Sequence, residues 1–247
     1  MKKIFITGST SGLGKIIAER CLKMKYEVYA TGRNREALDF LSNLGANVIQ
    51  GDLCSKEDIH RICNELPDID VAVINAGVGF FENAYDLSDE EIDLMVDVNI
   101  RAPIYLARNL AKKMIPRHSG HFIFIGSQAG KVATKKASVY AASKHAITGF
   151  ANGLRLELAP FNIKVSAVFP GPIDTPFLDK ADSTSTYRSS VKGVLLNPQT
   201  VAKEVVNLIE HPAREINLPR IMGLTSKLYA VAPGIVEKVG KRFFTIK

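Results

Sequence analysis

The stretch KIFITGSTSGLG, residues 3–14, begins as a short apolar run and then turns through three glycines, Gly8, Gly12 and Gly14. An apolar run of this length, broken at Thr7-Gly8-Ser9, reads as a strand giving way to a helix and not as an export signal. Glycines at such a turn permit positive φ and let the backbone approach a ligand closely. The positive end of the helix that follows favours an anion such as a pyrophosphate. The spacing is TGxxxGxG, which differs from the GxGxxG dinucleotide fingerprint, and a glycine-rich turn alone also suits an ordinary loop.

Outward from this stretch, runs rich in Val, Ile and Phe alternate with longer helical patterns. KIFIT is followed by EVYATG, NVIQGD, VAVINAG, HFIFIG, KVSAVFPG and REINLP as strands, with helices between them around residues 15–24, 56–66, 102–114 and 140–158. Apolar strands separated by helices build a parallel sheet covered on both faces, and right-handed crossovers leave it doubly wound. The expected fold is α/β, a Rossmann-like sheet of about seven strands with helices on both faces. No linker-like run divides the chain, so residues 1–247 are expected to form a single domain. The ligand crevice of such a sheet lies beyond the carboxyl ends of its strands. Gly8, Gly12, Gly14, Arg33, Asp52, Asn75, Ser127 and Pro170 all fall at or just after those ends.

Composition narrows the function without choosing it. A formal charge of +7 suits an anionic small molecule, a nucleic acid or an acidic membrane surface. Basic runs such as Lys135-Lys136 and Lys241-Arg242 are short, and neither zinc-ligand spacing nor aromatic-basic interleaving occurs, so no nucleic-acid partner is expected. Cys21, Cys54 and Cys63 form no CxxC pair and leave an odd count, which points to a reducing, cytoplasmic setting. No window has the uninterrupted apolar length of a membrane-spanning helix. His118 and His121 show no metal-ligand pattern, and His145 faces away from its neighbour Lys144, so no metal site is expected.

At the end of the second strand Gly32 stands where NAD-selective folds carry an acid for the ribose 2′-hydroxyl, and Arg33 follows it. A guanidinium can fork onto a 2′-phosphate that a carboxylate would repel, so NADP(H) is the expected cofactor. Arg35 is an alternative or additional partner for that phosphate, and a solvated loop arginine is the structural alternative for Arg33.

Tyr140 and Lys144 in ASVYAASKHAITGF stand at i and i+4, on one face of a helix. A free phenol keeps its proton up to about pH 10, and a neighbouring ammonium would lower that value toward a working acid or base. Ser127 ends a strand thirteen residues earlier, and Asn99 lies in VDVNIRAP.

With TGxxxGxG, Asn75-Ala76-Gly77, Ser127 and the Tyr-x-x-x-Lys pair at these spacings, the chain resembles the short-chain dehydrogenase/reductase family. It is similar to poorly characterised bacterial NADP-dependent oxidoreductases, and the resemblance runs from Lys3 to about Asn217. It implies that Ser127 binds the substrate oxygen, Tyr140 exchanges a proton with it, and Lys144 lowers the phenol pKa and binds the nicotinamide ribose. Asn99 would hold a water linking Lys144 to a proton relay. Gly8, Ser11, Gly12, Leu13 and Gly14, with Arg33, Asp52, Leu53, Asn75, Ala76, Gly77, Pro170, Gly171 and Thr175, would line the cofactor. Asp52 and Thr175 also read as residues near helix starts, although Ser55 with Asp58 is the better cap for the third helix. The implied reaction is hydride transfer between nicotinamide and a ketone, aldehyde or secondary alcohol.

Residues 177–196 form a polar segment expected to act as a substrate lid, while Phe80, Gln128 and Val132 are candidate pocket residues. Residues 218–247 depart from the family pattern in a basic, apolar extension that could pack on another subunit, cover the site or lie on an anionic membrane. Packing ranks first, because Pro219, Pro233 and Gly234 interrupt a long interfacial helix. Ala142, Ala146, Gly149 and Gly153 give the Tyr140 helix a small-residue face that allows close packing, and the family resemblance implies a homodimer or homotetramer paired through it. The rival readings are a nucleotide sensor without turnover, an epimerase or dehydratase, and a membrane-peripheral reductase of lipid-like substrates.

Overall fold

Along β1 (Lys3–Thr7) the side chains leave on alternate sides, and both sides are buried: Phe5 enters one core, Ile4 and Ile6 another. The same division holds for β4 (Val71–Ile74), where Ala72 and Ile74 join Phe5 while Val71 and Val73 join Ile4. A strand apolar on both faces needs a layer of helices on each. In this computed structural model, which describes residues 1–182 and 186–240, seven strands form one sheet with all neighbours parallel. The others are β2 (Glu27–Gly32), β3 (Asn47–Gln50), β5 (Gly120–Ile125), β6 (Ile163–Pro170) and β7 (Glu215–Leu218), in the order β3-β2-β1-β4-β5-β6-β7.

One face carries α1 (Gly12–Lys23), α2 (Arg35–Asn43) and α9 (Pro198–Glu210), with Ile17, Leu38 and Val205 fully buried among them. The other carries α3 (Lys56–Glu65), α5 (Ala102–Met114) and α6 (Ser138–Leu158), with Ile59, Leu106 and Ile147 inward. Local signals set the helix starts. Asn34, Ser55 and Asn197 accept backbone amides as N-caps, and Ser88 closes a reciprocal box with Glu91 at the head of α4 (Asp89–Val96). A π-turn, Asp97–Arg101, joins α4 to α5.

The strand order reverses between β1 and β4, which opens a crevice beyond their carboxyl ends. A third, smaller apolar cluster covers part of that end, where α7 (Pro176–Ala181) and α8 (Thr186–Ser190) fold over α6. Beyond β7 the chain forms α10 (Ile221–Val231) and α11 (Pro233–Val239). The expected lid at 177–196 includes residues 183–185, and the expected extension includes 241–247; both of these pieces lie outside the described residues. No described helix is long and apolar enough to cross a membrane.

Candidate active site

The turn after β1 is held in place by residues on β4's side of the crevice. Thr7 Oγ1 accepts the backbone amides of Asn75 and Ala76 at 3.0 Å each, and Asn75 Nδ2 donates to the Thr7 carbonyl at 2.9 Å. Gly8 and Gly12 have φ of +67° and +52°, a region costly for side chains. A Cβ on Gly14 would lie 2.2 Å from the Gly8 carbonyl oxygen, so only glycine lets α1 start this close to the turn. Ser11 is the N-cap of α1 and gives it no side-chain cap bond, which leaves the first-turn amides for an outside anion. This cradle fits a dinucleotide pyrophosphate. Leu13 sends its side chain into the core, so its contribution there is its backbone.

Beyond the carboxyl ends of β2 and β3, a cleft of about 670 Å³ is lined by Arg33, Arg35, Asp52 and Arg61 among others. Arg35 is engaged by Asp39 at 2.8 Å, whereas Arg33 has only a 3.9 Å approach to Asp52 and stays largely exposed. Asp52 also accepts the Cys54 amide, but Ser55 caps α3, as the sequence implies. Leu53 is buried with Ile49 and Ile59.

Ser127, Tyr140, Lys144 and Asn99 converge deeper in the crevice. Ser127 follows β5 and accepts the Ala129 amide at 3.1 Å. Tyr140 and Lys144 lie on the buried side of α6, with Lys144 Nζ 5.8 Å from the Tyr140 ring centroid and donating to the Ile125 carbonyl at 3.3 Å. A Cβ on Gly77 would stand 3.2 Å from Lys144 Nζ and 3.3 Å from Asn99 Oδ1, so the loop after β4 is pressed against both groups.

Two details of the site go beyond the sequence-based expectation. Burial pushes the Tyr140 phenol up to about 12, with the Ser127 hydroxyl pulling the other way, and takes the Lys144 amine down to about 8. Burial thus sets the direction of both shifts, disfavouring the charged form of each group. The Asn99 side chain is itself engaged within the protein. Its Oδ1 accepts the Val78 amide at 2.9 Å, and its Nδ2 donates to the Val78 carbonyl at 2.8 Å and to Ser143 Oγ at 3.0 Å. The π-turn carries this brace, consistent with the frequent use of π-bulges at functional sites.

Thr175 is buried and packs on Gly12, 3.5 Å from where a Cβ there would sit, and it makes no side-chain cap bond to α7. Pro170 ends β6, and the Gly171 amide donates to the Leu218 carbonyl at 2.7 Å. Around Tyr140 stand Phe81 and Phe177, with centroids 5.6 and 5.8 Å away, and Tyr187 meets Phe81 at 4.7 Å. Phe80 and Leu178 belong to the same cluster. Gln128 instead donates to the Phe169 carbonyl and to Asn217, toward β7. Sequence reasoning missed Thr7, Ser143 and Phe81. Thr7 and Ser143 were legible only as small polar residues beside Gly8 and Lys144, and Phe81 carried no signal beyond hydrophobicity. No described residues form a metal-binding group.

A parallel sheet with a glycine-rich first turn and Ser, Tyr and Lys gathered at its carboxyl edge defines a dinucleotide-dependent oxidoreductase fold. The short chain dehydrogenase family model matches residues 2–186, and the chain belongs to that family. An uncharacterised short-chain type dehydrogenase/reductase of Sinorhizobium fredii is 39% identical over 173 residues, covering 69% of each chain. A closed serine dehydrogenase solved with NADP+ is 30% identical, with a TM-score of 0.81 over 87% of this chain and 93% of its own. An actinorhodin polyketide ketoreductase variant solved with NADPH is 28% identical, with a TM-score of 0.77 over 87% and 95%.

Proposed function

We propose that the chain is an NADP(H)-dependent carbonyl reductase, acting on a ketone or aldehyde and, in reverse, on a secondary alcohol. The observation that carries this reading is the convergence of Ser127, Tyr140 and Lys144 in a dry pocket beside the glycine cradle at the head of α1. The NADP+ and NADPH of the similar solved enzymes, and the lightly held Arg33, support the choice of cofactor.

NADPH, held by the cradle, Arg33, Asn75 and Thr175, would supply the hydride. The chain's own part is to orient the carbonyl and protonate its oxygen. Ser127 donates a hydrogen bond to that oxygen, and Tyr140 gives it a proton. The phenol, raised to about 12 by burial, is protonated at neutral pH and so holds the proton that reduction requires, although burial makes it a weaker acid that needs a nearby positive charge to release it. Lys144, charged below its pKa of about 8, offsets the phenolate left behind. Asn99 acts through Val78 and Ser143 to hold the loop after β4 against Lys144. The aromatic wall of Phe81, Phe177 and Tyr187 excludes water and suits an apolar carbonyl compound. Residues 177–196 serve as its lid, and the exposed small face of α6 pairs subunits into a homodimer or homotetramer in the cytoplasm.

NADPH oxidation tested against ketones, aldehydes, quinones, ketosteroids and 3-oxoacyl thioesters, with Tyr140→Phe as control, decides the matter. Tyr140→Phe should bind NADPH with near-normal affinity and lose about 10²–10⁴ in kcat, since the phenol serves the transition state. Turnover equal to wild type in that variant would remove the assignment.

A further inference from the structure

The helix α10 is amphipathic in the reverse of the usual sense. It turns Gly223 and Ser226 inward, and Ile221, Leu224, Leu228 and Val231 outward at 62, 65, 58 and 84% exposure. These four share one stripe at i, i+3, i+7 and i+10, and Ile235 and Val239 of α11 are exposed as well. The inner side is firmly seated: Met222 lies against Gly171, and Asn217 closes on Gly223, leaving no room to roll the stripe inward. A run of large apolar side chains held out in water by a docked helix calls for an external partner.

The charge around the stripe selects that partner. Among the described residues of this segment, Arg220, Lys227 and Lys238 are basic against the single acid Glu237, and the sequence from 241 to 247 adds Lys241, Arg242 and Lys247 with no acid. A second copy docked face to face across a twofold axis would oppose like charge to like charge. An anionic bilayer accepts both features at once, the apolar stripe entering the interface and the basic side chains meeting lipid headgroups. We propose that α10 and α11 dock this protein on the surface of a membrane containing anionic lipid, reversing the order of preference that the prolines alone suggest. The break at Ala232-Pro233 divides the surface into two short helices without removing an apolar side chain from it.

The test uses the full chain and needs no turnover, so it stands apart from the carbonyl-reductase reading. Co-sedimentation is measured with vesicles of phosphatidylcholine alone and with about a third phosphatidylglycerol, the fraction being set to give a strongly anionic surface. Binding should appear only on the anionic vesicles, weaken at least tenfold as salt is raised from about 0.05 to 0.5 M, and be lost in Leu224→Glu/Leu228→Glu with the melting temperature unchanged. Lys227→Glu/Lys238→Glu should weaken it with the apolar stripe intact. The proposal fails if wild-type protein stays in the supernatant of anionic vesicles, or if the leucine variant binds as wild type does. It fails equally if sedimentation velocity shows that the stripe joins two copies, with the leucine variant becoming monomeric and no vesicle binding in either.

Discussion

Tyr140 and Lys144 are both buried on α6, and the shared burial moves their ionisation in opposite directions, the phenol up to about 12 and the amine down to about 8. Reduction needs a protonated phenol and a charged amine, and both conditions hold below pH 8. The rate of reduction at saturating NADPH should therefore be level from pH 6 to 7.5 and fall as pH rises through about 8, when Lys144 gives up its proton. Lys144→Met should be slow and lack that alkaline limb; a wild-type profile level to pH 10 would contradict the assignment. At the other end of the cofactor, Arg33→Ala should weaken NADPH binding by about 10–100-fold and NADH binding hardly at all, the value of a charge-assisted contact to the 2′-phosphate. Equal losses, read by fluorescence titration of both nucleotides, would show that Arg33 does not read the phosphate. The identity of these residues was legible because glycine, tyrosine and lysine at fixed spacings have few other reasons to coincide. The depth of their burial was not, since i and i+4 spacing reports a shared face and says nothing about how dry that face is.

The strands were legible element by element because burial on both faces leaves Val, Ile and Phe at successive positions, as in VAVI and FIFI. The packing of the segment after β6 was not, since Phe81 and Tyr187 lie far apart in sequence and meet only in the fold, with centroids 4.7 Å apart. That segment is held by one residue in particular. Arg188 of α8 reaches back to Asp174, pairs with Asp179 of α7 at 2.9 Å, and donates to the Thr175 carbonyl at 2.9 Å. These links tie the covering helices to the threonine that packs on Gly12. Arg188→Ala should leave the melting temperature within a degree or two, because the pairs are partly exposed and contribute little to global stability. It should nevertheless speed proteolysis within residues 176–195 and raise KM several-fold, with NADPH slowing the cleavage less than in wild type. Proteolysis at the wild-type rate would mean that the aromatic contacts alone hold the cover down.

Across the whole molecule, the sheet that positions the site also contains a buried titratable group with no part in the chemistry. His121 on β5 is 5% exposed, pairs with Ser166 of β6 at 2.9 Å, and has a buried Nδ1 without a partner. Burial, assisted by the charges of Lys2 and Lys164, lowers its pKa from 6.5 to about 4. As pH falls through 6.5 the unfolded chain takes up a proton that the folded chain refuses until about pH 4, so stability is lost across that window and is fully present above it. The shift corresponds to a loss of about 2 kcal/mol between pH 7 and 5. Urea midpoints at those two pH values should differ accordingly in wild type and much less in His121→Gln, whose stability at pH 7 is itself lower because the ring's packing is gone. Because His121 lies at the amino end of β5 and Ser127 just past its carboxyl end, the acid transition should leave the NADPH affinity of the still-folded fraction unchanged. A parallel acid loss of affinity in that fraction would place a second titrating group in the crevice itself.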